Sequence, residues 1–90
     1  MIDASGLADT WQTLFGSWPE QLPRSGWLVT TWGETISFVD FRLGAGVLLV
    51  ERDRPDALGS RKVLVPYGHI AGLKLASTAT LSAFDGWRFR

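Results

Sequence analysis

The chain of 90 residues has no cysteine, a single histidine and no excess charge of either sign. The absence of cysteine excludes disulfides and thiolate metal sites and suits a reducing compartment, so we expect a cytoplasmic protein. Nine basic and nine acidic side chains give a formal net charge of zero, so no overall field attracts nucleic acid or an anionic membrane. One histidine without cysteine does not make a zinc site, and we predict neither a metal nor another cofactor.

Long apolar runs are also missing. No run approaches the roughly 20 residues that cross a bilayer, and the first residues lack the basic and apolar regions of a secretory signal, so we expect no membrane partner. Gly44 to Gly46 lacks the Lys-Ser/Thr of a phosphate loop, and arginines interrupt the acidic residues of the loop 51–60, unlike a calcium loop. No Ser-His-acid triad is visible, so the sequence predicts no enzyme and no catalytic residue.

The chain is predicted to be a single domain, residues 1–90, that begins with an apolar stripe at helical spacing. This stripe predicts a helix over residues 5–17, ended by Gly16 and Pro19. An isolated helix this short is marginal in water, so it either covers an open end of the fold or binds a partner. The stripe consists of Leu7, Trp11, Leu14, Phe15 and Trp18.

From residue 27 the apolar period changes to two and β-branched and aromatic residues predominate, which predicts strands. In the second strand, residues 35–43, the apolar phase switches between Phe38 and Val39, which requires a bulge or a strong bend; we predict the bend. Pro66 ends the fourth strand, and Tyr67-Gly68-His69 then makes a one-turn corner into the fifth. The predicted strands are residues 27–32, 35–43, 47–50, 63–65 and 70–75.

Residues 77–90 form a C-terminal extension of the predicted fold. Asp85-Gly86 lies between β-compatible flanks, which favours a β-hairpin with Phe84 opposite Trp87. A short helix from Thr78 with Gly86 just past its end is the alternative.

The order of one helix, five strands and a one-turn link before the fifth strand resembles the Sm-like family of small β-barrels. Val65-Pro66-Tyr67-Gly68-His69-Ile70 stands at the place of the family's second motif, and Gly46 to Val50 is similar to the aliphatic third strand of its first motif. Other SH3-like barrels share the aliphatic-Pro-aromatic corner. The resemblance implies a five-stranded, strongly bent SH3-like or Sm-like barrel over residues 27–76. It also implies rings in which the fourth strand of one subunit pairs with the fifth strand of the next.

The chain departs from the family where RNA bases are held. The loop 43–47 has no polar or aromatic side chain, and Pro66 replaces the arginine of the second motif. We therefore expect a non-enzymatic, ring- or dimer-forming interaction or scaffold module that forms homo-oligomers through its fourth and fifth strands. The candidate oligomer edge is Val63, Leu64, Val65, Leu73 and Leu75.

RNA binding is the alternative function. Residues 51–62 carry four positive and three negative side chains, a net of only +1, so phosphate affinity would be weak unless a ring multiplied it. Aromatic and basic side chains near the corner and the chain end suit base stacking and phosphate contact. The candidate RNA or partner contacts are Tyr67, His69, Arg52, Arg54, Arg61, Lys62 and Arg88.

Overall fold

The computed structural model describes residues 4–89, which contain one α-helix and five strands. The helix starts and ends one residue earlier than predicted. The mainly β fold with an N-terminal helix, predicted from the change of apolar period near residue 27, is confirmed. The elements are α1 (Ala4–Gly16), β1 (Gly26–Thr30), β2 (Thr35–Leu43), β3 (Val47–Arg52), β4 (Lys62–Pro66) and β5 (Ile70–Lys74).

The strands form one antiparallel sheet in the order β4-β3-β2-β1-β5. Trp27 on β1 lies opposite Ser37 on β2 and Lys74 on β5. On the other half of the sheet, Leu49 of β3 lies opposite Leu64 of β4. Within residues 4–89, β4 and β5 each pair on one side only, so the sheet is open and these two strands are its edges.

The corner between β4 and β5 is a 3₁₀ helix of three residues, Tyr67–His69. Pro66 is extended (φ −57°, ψ 138°) and ends β4, because proline donates no hydrogen bond to a ladder. The backbone N–H of Tyr67 then donates to the carbonyl of Gly46 at 3.2 Å, which ties the corner to the start of β3. The predicted strand, one-turn link and strand are thus present.

A β-bulge accounts for the phase switch in β2. Phe38 lies opposite Arg52, but Asp40 lies opposite Glu51, so Val39 is an extra residue on β2. Val39 and Asp40 are both exposed, whereas Phe38 and Phe41 on either side are both buried. The bend that we preferred is therefore not what changes the phase; the alternative, a bulge, is present at this position.

The core lies between the sheet and α1. Phe15 of α1 is only 1% exposed and packs edge-on against Phe41 of β2, with ring centroids 5.0 Å apart. Its ring also stacks on Trp18 at 5.5 Å. The helix therefore packs on the sheet; because the sheet is open, it has no closed barrel end to cover. The buried hydrophobic cluster is Phe15, Leu28, Ile36, Phe38, Phe41, Leu48, Val50, Val65, Tyr67 and Ile70.

The C-terminal extension is not a hairpin. Leu81–Trp87 form a 3₁₀ helix that ends where Arg88 adopts a left-handed conformation (φ 63°). The hairpin prediction was wrong because the Trp87 side chain turns onto α1. Its indole Nε1 donates to the carbonyl of Leu14 at 2.8 Å, and its ring meets the ring of Trp18 edge-on at 5.0 Å.

Candidate functional site

The β1–β2 turn and the β4–β5 corner bring an exposed group of polar and aromatic side chains together. Gly33 has φ 86°, a left-handed conformation that lets the chain reverse, and the hydroxyl of Thr30 accepts the N–H of Glu34 at 3.1 Å. The turn is fixed to the corner because the N–H of Thr31 donates to the carbonyl of His69 at 2.9 Å. We call this group the corner cluster: Thr31, Trp32, Glu34, Arg52 and His69.

Glu34 joins the two halves of the corner cluster. One carboxylate oxygen accepts the indole N–H of Trp32 at 3.0 Å, and the other lies 3.4 Å from a guanidinium nitrogen of Arg52. The ring of His69 lies 6.3 Å from the ring of Trp32, and its Nδ1 is 2.9 Å from the hydroxyl of Thr31. Each of the polar groups in the cluster thus has a partner, while Trp32 remains 52% exposed.

A second exposed indole lies on the outer face of the sheet, close to the same arginine. Trp27 is 39% exposed and borders a depression of about 400 Å³ that Arg52 and Arg54 also line. A neighbouring depression of about 290 Å³ lies on the other side of Trp27 and is bordered by Val39 and Leu75. Arg52 therefore lies between two exposed tryptophans, Trp27 in the depression and Trp32 in the corner cluster.

The structure places the predicted contact residues in different environments. Tyr67 is fully buried, and its hydroxyl donates to the carbonyl of Gly44 at 3.3 Å. Burial raises the pKa of the Tyr67 hydroxyl, and the buried ring has no face to offer a base. His69 is exposed and belongs to the corner cluster.

The predicted basic residues are likewise divided. Arg52 is half-buried and also donates to the carbonyl of exposed Arg54 at 3.2 Å, so these two lie together beside the corner cluster. Lys62 forms an ion pair with Glu51 at 2.7 Å, on the far edge of the sheet. Arg61 is exposed just before β4, and Arg88 is exposed in the C-terminal extension that packs on α1.

The sequence reasoning missed Trp32 and Glu34. The signal was present as Trp32-Gly33-Glu34, an aromatic residue and a carboxylate on either side of a turn glycine. In the sequence, these residues stand only at the break between the predicted strands 27–32 and 35–43. Its connection to His69 depends on the pairing of β1 with β5, which spacing along the chain does not reveal.

The five residues of the predicted oligomer edge also differ in how far they are buried. Val65 is fully buried in the core, and Val63 and Leu73 are half-buried against it. Leu64 points the other way and is 63% exposed in the middle of edge strand β4. Leu75 is half-buried just beyond β5.

Arg24 ties the connector before β1 to the bulge in β2. Its Nε donates to Asp40 at 3.0 Å, another guanidinium nitrogen donates to the carbonyl of Phe41 at 2.6 Å, and the guanidinium lies 3.8 Å from the centre of the Phe41 ring. The hydrogen bond from Arg24 holds the pKa of the Asp40 carboxyl below its usual range, assisted by the backbone N–H of Phe41. This group stabilises the bulge.

The described part of the chain has neither a metal cluster nor a membrane-spanning helix. Between residues 4 and 89, no group of three or more histidine, aspartate or glutamate side chains is arranged to hold a metal ion. The same residues contain no helix that is both long and apolar enough to cross a membrane.

Comparison with known proteins gives no relative from which a function could be transferred: no family model, curated protein or solved structure matches this chain.

Proposed function

We propose that the chain is a non-enzymatic interaction or scaffold module, a small Sm-like barrel that self-associates into a dimer or ring through β4 and β5. The observation that carries this proposal is the pair of unpaired sheet edges, with Leu64 63% exposed on one of them. An unpaired edge presents backbone donors and acceptors to another strand, and natural proteins usually protect such edges with charge. The residues at the centre of β4, Val63-Leu64-Val65, carry none.

The barrel form of the proposal is supported by the order of the elements. The strand order β4-β3-β2-β1-β5, the bulge in β2 and the 3₁₀ corner between the two edge strands are all features that suit a strongly curved sheet. In a ring, β4 of one copy would pair with β5 of the next, so both edges of every copy would be satisfied. The contact would be heterologous, and closure would set the number of copies.

The charges beside Leu64 are also compatible with strand addition. Its cross-strand neighbour on β3 is Leu49, so an apolar pair lies at the middle of the edge. Lys62 and Glu51, two rows further along the same strand pair, neutralise each other at 2.7 Å. An incoming strand would therefore meet apolar contact at the centre and no uncompensated charge beside it.

The mass in solution, measured by light scattering at micromolar concentration, tests this proposal. A dimer or a larger closed species is expected, and Leu64→Lys should return it to the mass of one chain, 9.9 kDa, because a lysine on an edge strand opposes pairing. Leu58→Lys is the matched control: Leu58 is 95% exposed in a loop and should leave the mass unchanged. A single-chain mass for the unmodified protein would overturn the proposal.

RNA binding is a second candidate, favoured by the two exposed tryptophans on either side of Arg52. Indole faces stack bases of any sequence, and exposed Arg54 beside Trp27 supplies a cation for phosphate, whereas Arg52 is already paired with Glu34. His69 and Trp32 form the corner part of this surface. The buried Tyr67 of the original hypothesis has no part in it.

Titration with short oligo-U and oligo-A at about 50 and 200 mM salt tests this candidate, because phosphate contacts are strongest at low salt. Binding should weaken with salt, and both Trp32→Ala and Trp27→Ala should reduce it. Leu58→Lys, at a residue that is 95% exposed, again serves as a control, here for the effect of one added cation. No binding at the lower salt concentration would remove RNA as a ligand.

A further inference from the structure

The C-terminal segment, residues 81–89, is attached to the rest of the molecule chiefly by one side chain. Trp87 donates its indole N–H to the carbonyl of Leu14 at 2.8 Å and packs edge-on against Trp18 at 5.0 Å. No residue of the 3₁₀ helix Leu81–Trp87 is buried. Leu81 and Phe89, at the two ends of the segment, remain largely exposed. The segment is therefore a peripheral element, and its hydrogen bond to the rest of the molecule is that of Trp87.

The surface that receives this anchor belongs entirely to α1 and the residues that follow it. We call it the indole seat: Leu14, Trp18 and Pro19. Gly86 lies against Pro19, since a Cβ atom placed on Gly86 would be 3.5 Å from the Cβ of Pro19. Trp18 is itself held in place by its contact with Phe41 at 5.0 Å and by hydrogen bonds to the carbonyls of Leu22 and Pro23. The seat thus has a structure that does not require the segment.

The segment is joined to β5 by a linker of six residues, 75–80, which contains no helix or strand. Fully extended, six residues span about 20 Å. The linker starts directly after edge strand β5, where a second copy would be joined in the proposed assembly. A neighbouring seat within that reach is therefore accessible to the segment.

We propose that two copies of this chain exchange their C-terminal segments, so that Trp87 of one copy occupies the indole seat of the other. The contacts formed are the same in the exchanged and unexchanged arrangements, so exchange loses no contact energy. Exchange costs the entropy of bringing two copies together. This cost is smaller when the sheet edges already join the copies, because the local concentration of the segment is then high. This inference rests on the self-association proposed above and identifies an element that the copies share.

Cysteine cross-linking tests the exchange, and the chain has no cysteine of its own to interfere. Pro19→Cys and Gly86→Cys place two Cβ atoms about 3.5 Å apart, at the short end of the range for a disulfide. Each substitution is made in a separate full-length chain, one of them carrying a mass tag, and the two chains are mixed and oxidised. Exchange predicts that mixed dimers exceed the share expected from random pairing, and that adding Trp87→Ala to the Gly86→Cys chain removes the excess.

A chain carrying both cysteines is the reference for the geometry of the pair. If it forms an intrachain disulfide while the two single-cysteine chains pair only at random, the segment stays on its own copy and the inference is overturned. In case Pro19→Cys disturbs the fold, an unsubstituted sample mixed from isotope-labelled and unlabelled chains gives an independent measurement. A nuclear Overhauser contact between Trp87 and Leu14 of different copies is expected, and its absence overturns the exchange.

The same samples separate this inference from the proposal on which it rests. An oligomeric mass by light scattering combined with random cross-linking would overturn segment exchange alone and leave edge association standing. A single-chain mass at micromolar concentration would overturn both.

Discussion

The two ends of the chain are both rich in aromatic residues, yet they are attached in different ways. Phe15 in α1 is 1% exposed and has four aromatic rings within 6.5 Å, whereas the C-terminal 3₁₀ helix has no buried residue and depends on Trp87. Hydrophobic composition alone therefore does not make a terminal segment part of the core. What matters is whether its rings are enclosed by another element, as the ring of Phe15 is by Phe38 and Phe41 of the sheet.

Phe15→Ala should have the largest effect on stability and would show how strongly α1 is attached. Removing a fully buried phenylalanine ring should lower the free energy of unfolding by about 3–5 kcal/mol, because the surrounding rings relax only partly into the cavity. Urea denaturation followed by tryptophan fluorescence measures it. A loss of about 0.5 kcal/mol or less, the usual range of surface substitutions, would mean that α1 is as peripheral as the C-terminal segment.

Trp87→Phe should have a smaller effect, about 1 kcal/mol, because it removes one neutral hydrogen bond to Leu14 and keeps an aromatic ring. Trp11→Phe is the matched control. The indole nitrogen of Trp11 is buried and has no hydrogen-bond partner among residues 4–89, so Trp11→Phe removes ring volume from the core but no hydrogen bond. Denaturation midpoints of the two variants, compared side by side, separate these two contributions. A loss near zero for Trp87→Phe would contradict its hydrogen bond to Leu14.

Lowering the pH should have the smallest effect on stability. It acts through the carboxylates of Asp56 and Asp40, which lie in neither terminal segment. The N–H groups of Ser60 and Leu58 donate to the Asp56 carboxylate, which lowers its pKa from 3.8. Its stabilising contribution is therefore complete above the unfolded value of 3.8 and is lost as pH falls through the lower folded value. Asp40 acts in the same direction.

Urea midpoints between about pH 4 and pH 2 test this linkage, because that is the range in which a carboxyl with a depressed pKa takes up its proton. The midpoint of the unmodified protein should fall more steeply with acid than that of Asp56→Asn, which keeps an acceptor for the two N–H groups but has no charge to lose. Equal slopes would show that the loop 51–60 makes no acid-dependent contribution.

The sequence predicted those parts of the fold that local chemistry controls. The helix followed from one apolar stripe, and the β4–β5 corner followed from Pro66 and the three residues after it. The bulge was visible as a change of phase at Val39, but a bulge and a bend produce the same apolar pattern. Only the pairing with β3 distinguishes them.

The parts that were missed depend on contacts between distant residues. Asp85-Gly86 is a strong local hairpin signal, but the indole of Trp87 packs on α1, 73 positions earlier in the chain. The corner cluster needs β1 and β5 side by side before Trp32 can approach His69. Tyr67 and His69 were both predicted as RNA or partner contacts, yet the 3₁₀ corner buries Tyr67 and exposes His69.

The extra residue in β2 has a consequence for how this chain tolerates changes in length. Val39 and Asp40 both face outward at the bulge, so a chain without Val39 would alternate regularly, with Ile36, Phe38 and Phe41 still on the buried side. Deleting Asp40 instead of Val39 would leave the same inward set, whereas deleting Ser37 would turn Ile36 toward water. The bulge, Val39 and Asp40, is therefore the place where β2 tolerates a single-residue deletion while its inward aromatic residues keep their orientation.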